Sequence, residues 1–380
     1  MEEMNILIAP DSFKDCMSAR EVANALGRGI KKILPDSVLV MVPMADGGEG
    51  TVESVIDATG GERIVLRVKD PLLREVSSFY GITGDGKTAV IEMAAASGLE
   101  LLELEERDPW ITSTYGTGQL IGDALDRGCS KIMLGIGGSA TNDCGAGMAE
   151  ALGVKFSGRF GNLTVRGGGV LSEVELIHLE GLDSRIAGIE IVVACDVNNP
   201  LTGPQGASAV YGPQKGADRE MVEKLDRNLT HFAGVIENQL GREISKVPGS
   251  GAAGGLGAGL MAFLDATLMK GIDMIAEVTG LEEKIRQADL VITGEGKMDA
   301  QTQFGKTPFG VAQLAKKHGL PVIGIAGTLE EDAGVLYQEG FDLLLPIQEK
   351  PGDLAAALAG AEPLLERTGE RIARLIRIRI

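Results

Sequence analysis

Four glycine-rich segments punctuate this 380-residue chain: ADGGEGT (45–51), GIGGSATNDCGAGM (135–148), PGSGAAGGLGAGL (248–260) and ITGEGKMD (292–299). Three of them set carboxylates or a lysine among the glycines. Glycine takes positive φ and lets a backbone approach a ligand closely. A loop that follows a strand and opens a helix turns its free N–H groups toward an anion. In GIGGSATNDCGAGM the apolar run Lys131–Ile136 predicts such a strand, leading into Gly137 and Gly138, with a helix expected to start near Cys144. Ser139, Thr141 and Asn142 add side-chain donors, and Asp143 either holds Mg²⁺ or caps the helix. No lysine follows as in a Walker A loop and no GxGxxG is present, so a dinucleotide is not indicated.

The other segments supply charge. The run 288–293 predicts a buried strand ending at Gly294-Glu295-Gly296. In a parallel sheet the carboxyl ends of strands line the ligand crevice, which puts Glu295, Lys297 and Asp299 where chemistry is done, with Lys306 just after. Two carboxylates around a lysine suit a metal and a phosphate together. ADGGEGT brings Asp46 and Glu49 to the same edge, and PDSFK places Asp11 and Lys14 after the first strand; Asp11 also reads as a turn-former beside Pro10. Asp196 closes an apolar strand, either to accept a hydroxyl proton or to cap. Lys215 lies in the loop YGPQKGA (211–217). The uncharged segment 248–260 either faces phosphate as a helix N-terminus or permits close packing. His178, His231 and His318 are too scattered for a Ser–His–Asp triad, and with Cys16, Cys129, Cys144 and Cys195 they give no zinc spacing.

The elements that must position these residues follow from hydrophobic pattern. Asn5–Ala9 is a short continuous apolar run, as in a strand buried on both faces. Ser18 with Glu21 forms a capping box for a helix running to about Ile33. Val38–Val42 is a strand and Val52–Ala58 a helix. The same rhythm returns in the helix Pro308–His318, the strands Pro321–Ala326 and Leu343–Ile347, and terminal helices over Leu354–Arg377. The middle differs: Arg63–Val68, Ser77–Thr83 and Thr88–Met93 read as antiparallel or mixed strands, followed by strands Lys131–Ile136 and Ile189–Ala194 and the long helix Met221–Leu240. The expected fold is α/β, with a discontinuous parallel-sheet domain (1–60 plus 283–380) and an inserted mixed-sheet α/β domain (61–282).

Composition narrows the partners. The net charge of −18 lacks the basic footprint of nucleic-acid binding, and any anionic substrate needs local cations against that field. No apolar run reaches the roughly 18 residues of a membrane span, and the acidic start MEEMNILIAP is no signal peptide. A cytoplasmic protein with isolated thiols is expected. The residues read as a two-domain enzyme that transfers phosphoryl groups to a small hydroxylated molecule, with Mg²⁺.

The chain resembles the bacterial glycerate kinase family through IAPDSFK (8–14), PMADGGEGT (43–51), IEMAAASGL (91–99), GTGQLI (116–121), GIGGSATND (135–143), ACDVNNPL (194–201), YGPQKGA (211–217), PGSGAAGG (248–255), ITGEGKMD (292–299) and GKTPFGVA (305–312). The resemblance implies ATP-dependent phosphorylation of D-glycerate to 2-phosphoglycerate. It also implies two α/β domains, one flavodoxin-like, with the active site in the cleft between them. A kinase of another small hydroxy acid and a non-catalytic metabolite-binding regulator are the alternatives. Cys144 stands where a glycine is common, and Lys297 where an arginine is common. The resemblance leaves individual roles open, and these are assigned here as expectations. Lys14, Lys215, Lys297 and Lys306 supply cations, and Asp196 or Asp46 is the base. Asp11, Glu49 and Glu295 meet the substrate, loop 137–142 the phosphates, and Asp143 and Asp299 the metal. Oligomeric state is not legible.

Overall fold

The computed structural model describes residues 4–14, 16–48, 50–350 and 354–378, excepting the side chains of 354–356. Glu49, expected to meet the substrate, lies outside the described residues. Contacts divide the chain into two units. One comprises Met1–Asp46, Glu53–Gly60 and Ile272–Ile380, the other Gly47–Val52 and Gly61–Gly271. Residues 272–282, expected in the inserted domain, group with the first unit; the Ile272 side chain packs onto Gly310, where any Cβ would meet it at 2.3 Å.

The first unit is built on a five-stranded, all-parallel sheet in the order Leu343–Pro346, Val322–Leu329, Leu290–Met298, Asn5–Ile8, Val38–Met41. Counted along the chain this is 2-1-3-4-5, the flavodoxin-like order. The strands form from the short apolar runs of the sequence, and Ile6, Ile8, Ile292 and Ile325 are buried with Leu26 and Leu365 in one core. Helix Ala19–Ile33 starts on the Ser18–Glu21 capping box. It lies against helix Ala361–Arg377 so closely that a Cβ on Gly29 would fall 1.9 Å from the Glu366 carbonyl oxygen.

One strand corrects the sequence reading. The strand expected to end at Gly294 continues to Met298, paired with Val322–Leu329 over Val291–Glu295 and again at Lys297 and Met298. Gly294 serves close approach rather than a turn: a Cβ there would lie 2.1 Å from the Ile325 carbonyl oxygen. Glu295 and Lys297 therefore stand on a strand that overshoots its neighbour Asn5–Ile8.

The second unit carries a six-stranded mixed sheet in the order Thr267–Met269, Glu190–Ala194, Lys131–Gly135, Thr88–Glu92, Glu75–Ile82, Glu62–Lys69. The first four strands run parallel and the last two return antiparallel. A small antiparallel sheet of Lys155–Gly158, Gly161–Leu163 and Leu176–His178 was not anticipated. Its strands are too short and too glycine-rich to show a period. Phe156, Phe232 and Phe263 pack with ring centroids 5.9–6.3 Å apart in this unit's core. Among the described residues no helix is long and apolar enough to cross a membrane.

Candidate functional site

In the first unit the order of strands reverses between Asn5–Ile8 and Leu290–Met298, and ligands of open α/β sheets bind beyond the carboxyl ends at such a point. The chain leaves Asn5–Ile8 still tied to its neighbour, through Ala9 N–H to the Ile292 carbonyl and Asp11 N–H to the Gly294 carbonyl, both at 2.8 Å. Asp11 thus sits at the switch point beside Glu295. It is only partly exposed, and its Oδ1 accepts from Ser12 N–H at 2.6 Å. Burial pushes its carboxyl up to about 7; the nearby Thr307 hydroxyl and the Ser12 amide pull it down, and the charges of Asp46 and Glu295 push it further up. Thr307 is itself fully buried, and its Oγ1 has no well-formed hydrogen bond.

Glu295 is held from two sides. Its Oε1 accepts from Thr302 Oγ1 at 2.9 Å, and Lys306 Nζ stands 3.3 Å from Oε2. Burial raises this carboxyl as well, with Lys306 opposing. Lys297 pairs with Glu330 at 3.1 Å and approaches Asp299 at 3.6 Å, so it serves acids of its own surface. Asp299 caps the turn Ala300–Phe304, accepting from Gln301 N–H at 2.9 Å. Lys14 and Asp46 are exposed.

In the second unit the loop after strand Lys131–Gly135 presents only part of what its sequence suggested. Gly137 and Gly138 are exposed and Ser139 is at the surface boundary, but the side chains of Thr141 and Asn142 are fully buried. Of the loop expected to meet phosphates, only Gly137 and Gly138 are open, with Ser139 nearly buried beside them. Asn142 Nδ2 donates to Ser208 Oγ at 3.0 Å, while Asn142 Oδ1 and Thr141 Oγ1 have no partner. Lys215, expected at the phosphates, lies under the loop: Nζ donates to Ser139 Oγ at 2.7 Å and to the Thr141 carbonyl at 2.6 Å.

Asp143 does not fit a metal. It is fully buried and accepts from Thr114 N–H and Oγ1 and from Gly145 and Gly147 N–H at 2.8–3.2 Å. Burial raises its carboxyl against those donors. It shapes a tight turn in which Cys144 and Gly145 both take positive φ, so the following helix is only Ala146–Ala151 and begins later than expected. Among the described residues no three His, Cys, Asp or Glu side chains converge to hold a metal ion. Of the two residues expected for Mg²⁺, Asp143 is fully consumed, while Asp299 spends Oδ1 on its cap and keeps Oδ2, with Lys297 Nζ at 3.6 Å.

The segment 248–260 settles as packing. Its helix Ala252–Leu264 opens with positive φ at Ala253, Gly254 and Gly255. A Cβ on Gly254 would lie 1.9 Å from the Thr141 carbonyl oxygen, so this backbone is the floor beneath the loop. Asp196, at the end of strand Glu190–Ala194, is exposed and accepts from Gly271 N–H at 3.1 Å. The structure thus supports its capping reading. Thr302 and Thr114 went unnoticed in the sequence, and Thr307, within the stretch Gly305-Lys306-Thr307, was given no role of its own. Nothing local marks Thr114 as a partner of Asp143.

Comparison with known proteins adds identity to this geometry. Residues 6–377 match the family described as Glycerate kinase family. The chain is 51% identical over 375 residues to a glycerate kinase of Bacillus subtilis, covering 99% of this chain and 98% of that one. It is equally similar to a glycerate 2-kinase of Escherichia coli, 51% identical over 375 residues with the same coverage. A solved structure of a glycerate kinase 2 from Salmonella typhimurium LT2 superposes with a TM-score of 0.92 at 47% identity, covering 99% of both chains.

Proposed function

The chain belongs to the glycerate kinase family, and from that premise we propose that it transfers the γ-phosphoryl group of ATP to the 2-hydroxyl of D-glycerate, giving 2-phosphoglycerate and ADP. The observation that carries the residue assignment is Asp11: a carboxylate at the switch point of the flavodoxin-like sheet, raised to about 7. A base on a substrate hydroxyl works best with a pKa near the operating pH. This moves the proton acceptor from Asp196 or Asp46 to Asp11. The hydroxyl proton passes to Asp11, the freed oxygen bonds to the γ-phosphorus, and the bond to the bridging oxygen breaks to release ADP.

The remaining residues position and neutralise. Lys306, beside Glu295, supplies a cation for the glycerate carboxylate, and exposed Lys14 supplies a second. The backbone N–H groups of Gly137–Ser139 take phosphate oxygens. Phosphoryl transfer demands little covalent help from protein, so placement and charge supply most of the acceleration. Magnesium accompanying the nucleotide is held by substrate phosphates, waters and one or two carboxylates in such enzymes, so it needs no cluster of three protein ligands, and Asp299 would be the carboxylate to offer it.

A coupled assay of ADP release across D-glycerate, L-glycerate, glycolate and tartronate tests the substrate, with phosphorus NMR of the product to separate 2- from 3-phosphoglycerate. The highest kcat/KM belongs to D-glycerate. Equal rates with the other acids would remove the assignment, and ligand-induced stabilisation without ADP release would favour a binding protein.

A further inference from the structure

Lys215 is a buried cation under a loop read as binding anions, and its hydrogen bonds have a direction. An ammonium carries three donors and no acceptor. Ser139 Oγ, 2.7 Å from Nζ, must therefore accept, and its own O–H is turned away from the lysine. The second bond, to the Thr141 carbonyl at 2.6 Å, fixes the far side of the loop. Ser139 retains 6% exposure next to exposed Gly137 and Gly138, whereas Lys215 retains 1%. Of this pair Ser139 is the one adjoining the exposed glycines, and Lys215 lies behind it.

We propose that Lys215 is a positioning residue that fixes the Ser139 hydroxyl as a hydrogen-bond donor toward the phosphates of ATP. This rests on Gly137–Ser139 being the phosphate loop of the kinase. The arrangement is sensitive to one proton. Among the described residues Lys215 has no ion-pair partner; the charge of Asp143, behind the loop, favours its protonated form, and burial outweighs it, lowering the amine to about 7. From the other side, Arg107 contributes backbone, its carbonyl oxygen running against Gly216 where a Cβ would lie 2.0 Å away. Once neutral, the amine gains a lone pair that can accept from Ser139 O–H, so the hydroxyl is no longer held as a donor toward the phosphates.

The test is kcat/KM for ATP, at saturating D-glycerate, from about pH 6 to 9, in the wild type, Ser139→Ala and Lys215→Met. The wild type loses kcat/KM on the alkaline side with an apparent pKa near 7. Ser139→Ala is lower by about ten-fold at the acid end, the effect of one hydrogen bond to a charged group. It shows no alkaline fall, and the loss is in KM for ATP with KM for glycerate unchanged. Lys215→Met likewise shows no alkaline fall, the acid-side fall set by Asp11 remaining in every variant; if it fails to fold, Ser139→Ala decides alone. An alkaline fall that survives in Ser139→Ala overturns the proposal, because the lysine would then act on phosphate without the serine. ADP formation by a wild type with no alkaline fall also overturns it while leaving the kinase reading intact. A wild type forming no ADP removes both.

Discussion

Each unit of this molecule holds an ionisable side chain brought to about 7, and the two arrive from opposite ends of the scale. Asp11 in the flavodoxin-like unit comes up from 3.8 to about 7, and Lys215 in the mixed-sheet unit comes down from 10.5 to about 7. Burial is the largest cause in both, since it penalises whichever form is charged. The surroundings differ. Asp11 keeps some exposure and faces two further acids, Asp46 and Glu295, with no cation among the causes of its shift. Lys215 is sealed and its hydrogen bonds go to a hydroxyl and a carbonyl. The difference separates a group that can touch substrate from one that acts through its neighbour.

Removing the carboxylate charge is the strongest way to break this comparison. Asp11→Asn lowers kcat by about 10²- to 10⁴-fold, the range for loss of a positioned base. The sign of its effect on stability is opposite. A folded pKa raised above the unfolded value gives stability that is present at low pH and lost as pH rises through about 7. Near pH 8 the wild type therefore carries an unfavourable buried charge, and Asp11→Asn melts higher there, by calorimetry. For Lys215 the folded value is depressed, so stability is lost as pH falls through about 7. A Lys215→Met variant that folds gains on the wild type most at the acid end.

Smaller effects sharpen the contrast. Gly254→Ala combines positive φ with a clash against the Thr141 carbonyl and costs about 3 kcal/mol in chemical denaturation. It disturbs the ATP KM more than the glycerate KM. Lys306→Ala raises the glycerate KM by roughly ten-fold with kcat less affected, one charge-assisted contact being lost. Asp196→Asn, which can still accept from Gly271 N–H, leaves kcat within a few-fold, and a large loss would return Asp196 to the role of base. Cys144→Gly changes stability least, by about 1 kcal/mol or less, because relief of a positive φ offsets lost burial.

The sequence made the framework legible wherever local pattern decides structure. The runs NILIA and PVIGIA announced buried parallel strands, and Ser18 with Glu21 announced a helix start that the structure contains. Glycine was ambiguous. The same residue type marks a turn at Gly138, a close strand contact at Gly294 and a floor at Gly254, and only partners distant in sequence distinguish these uses. Site chemistry was legible as a set of residues but not as roles. Asp143 and Asp11 are both aspartates in conspicuous loops. What separates them is that four donors from Thr114, Gly145 and Gly147 consume the first, while acids surround the second. Burial and pairing of this kind are tertiary quantities, which is why the sequence did not show Lys215 buried beneath the loop and donating to Ser139 and Thr141.

The most direct test of Asp11 as the base is the pH dependence of kcat/KM for D-glycerate with ATP saturating. If Lys215 positions Ser139 as proposed, bound phosphates favour its charged form through that hydroxyl, which leaves the carboxylate to set the acid side. The account predicts a fall on the acid side, ten-fold per pH unit, with an apparent pKa near 7. A kcat/KM that stays level down to about pH 5, the range of an ordinary aspartate, would contradict it.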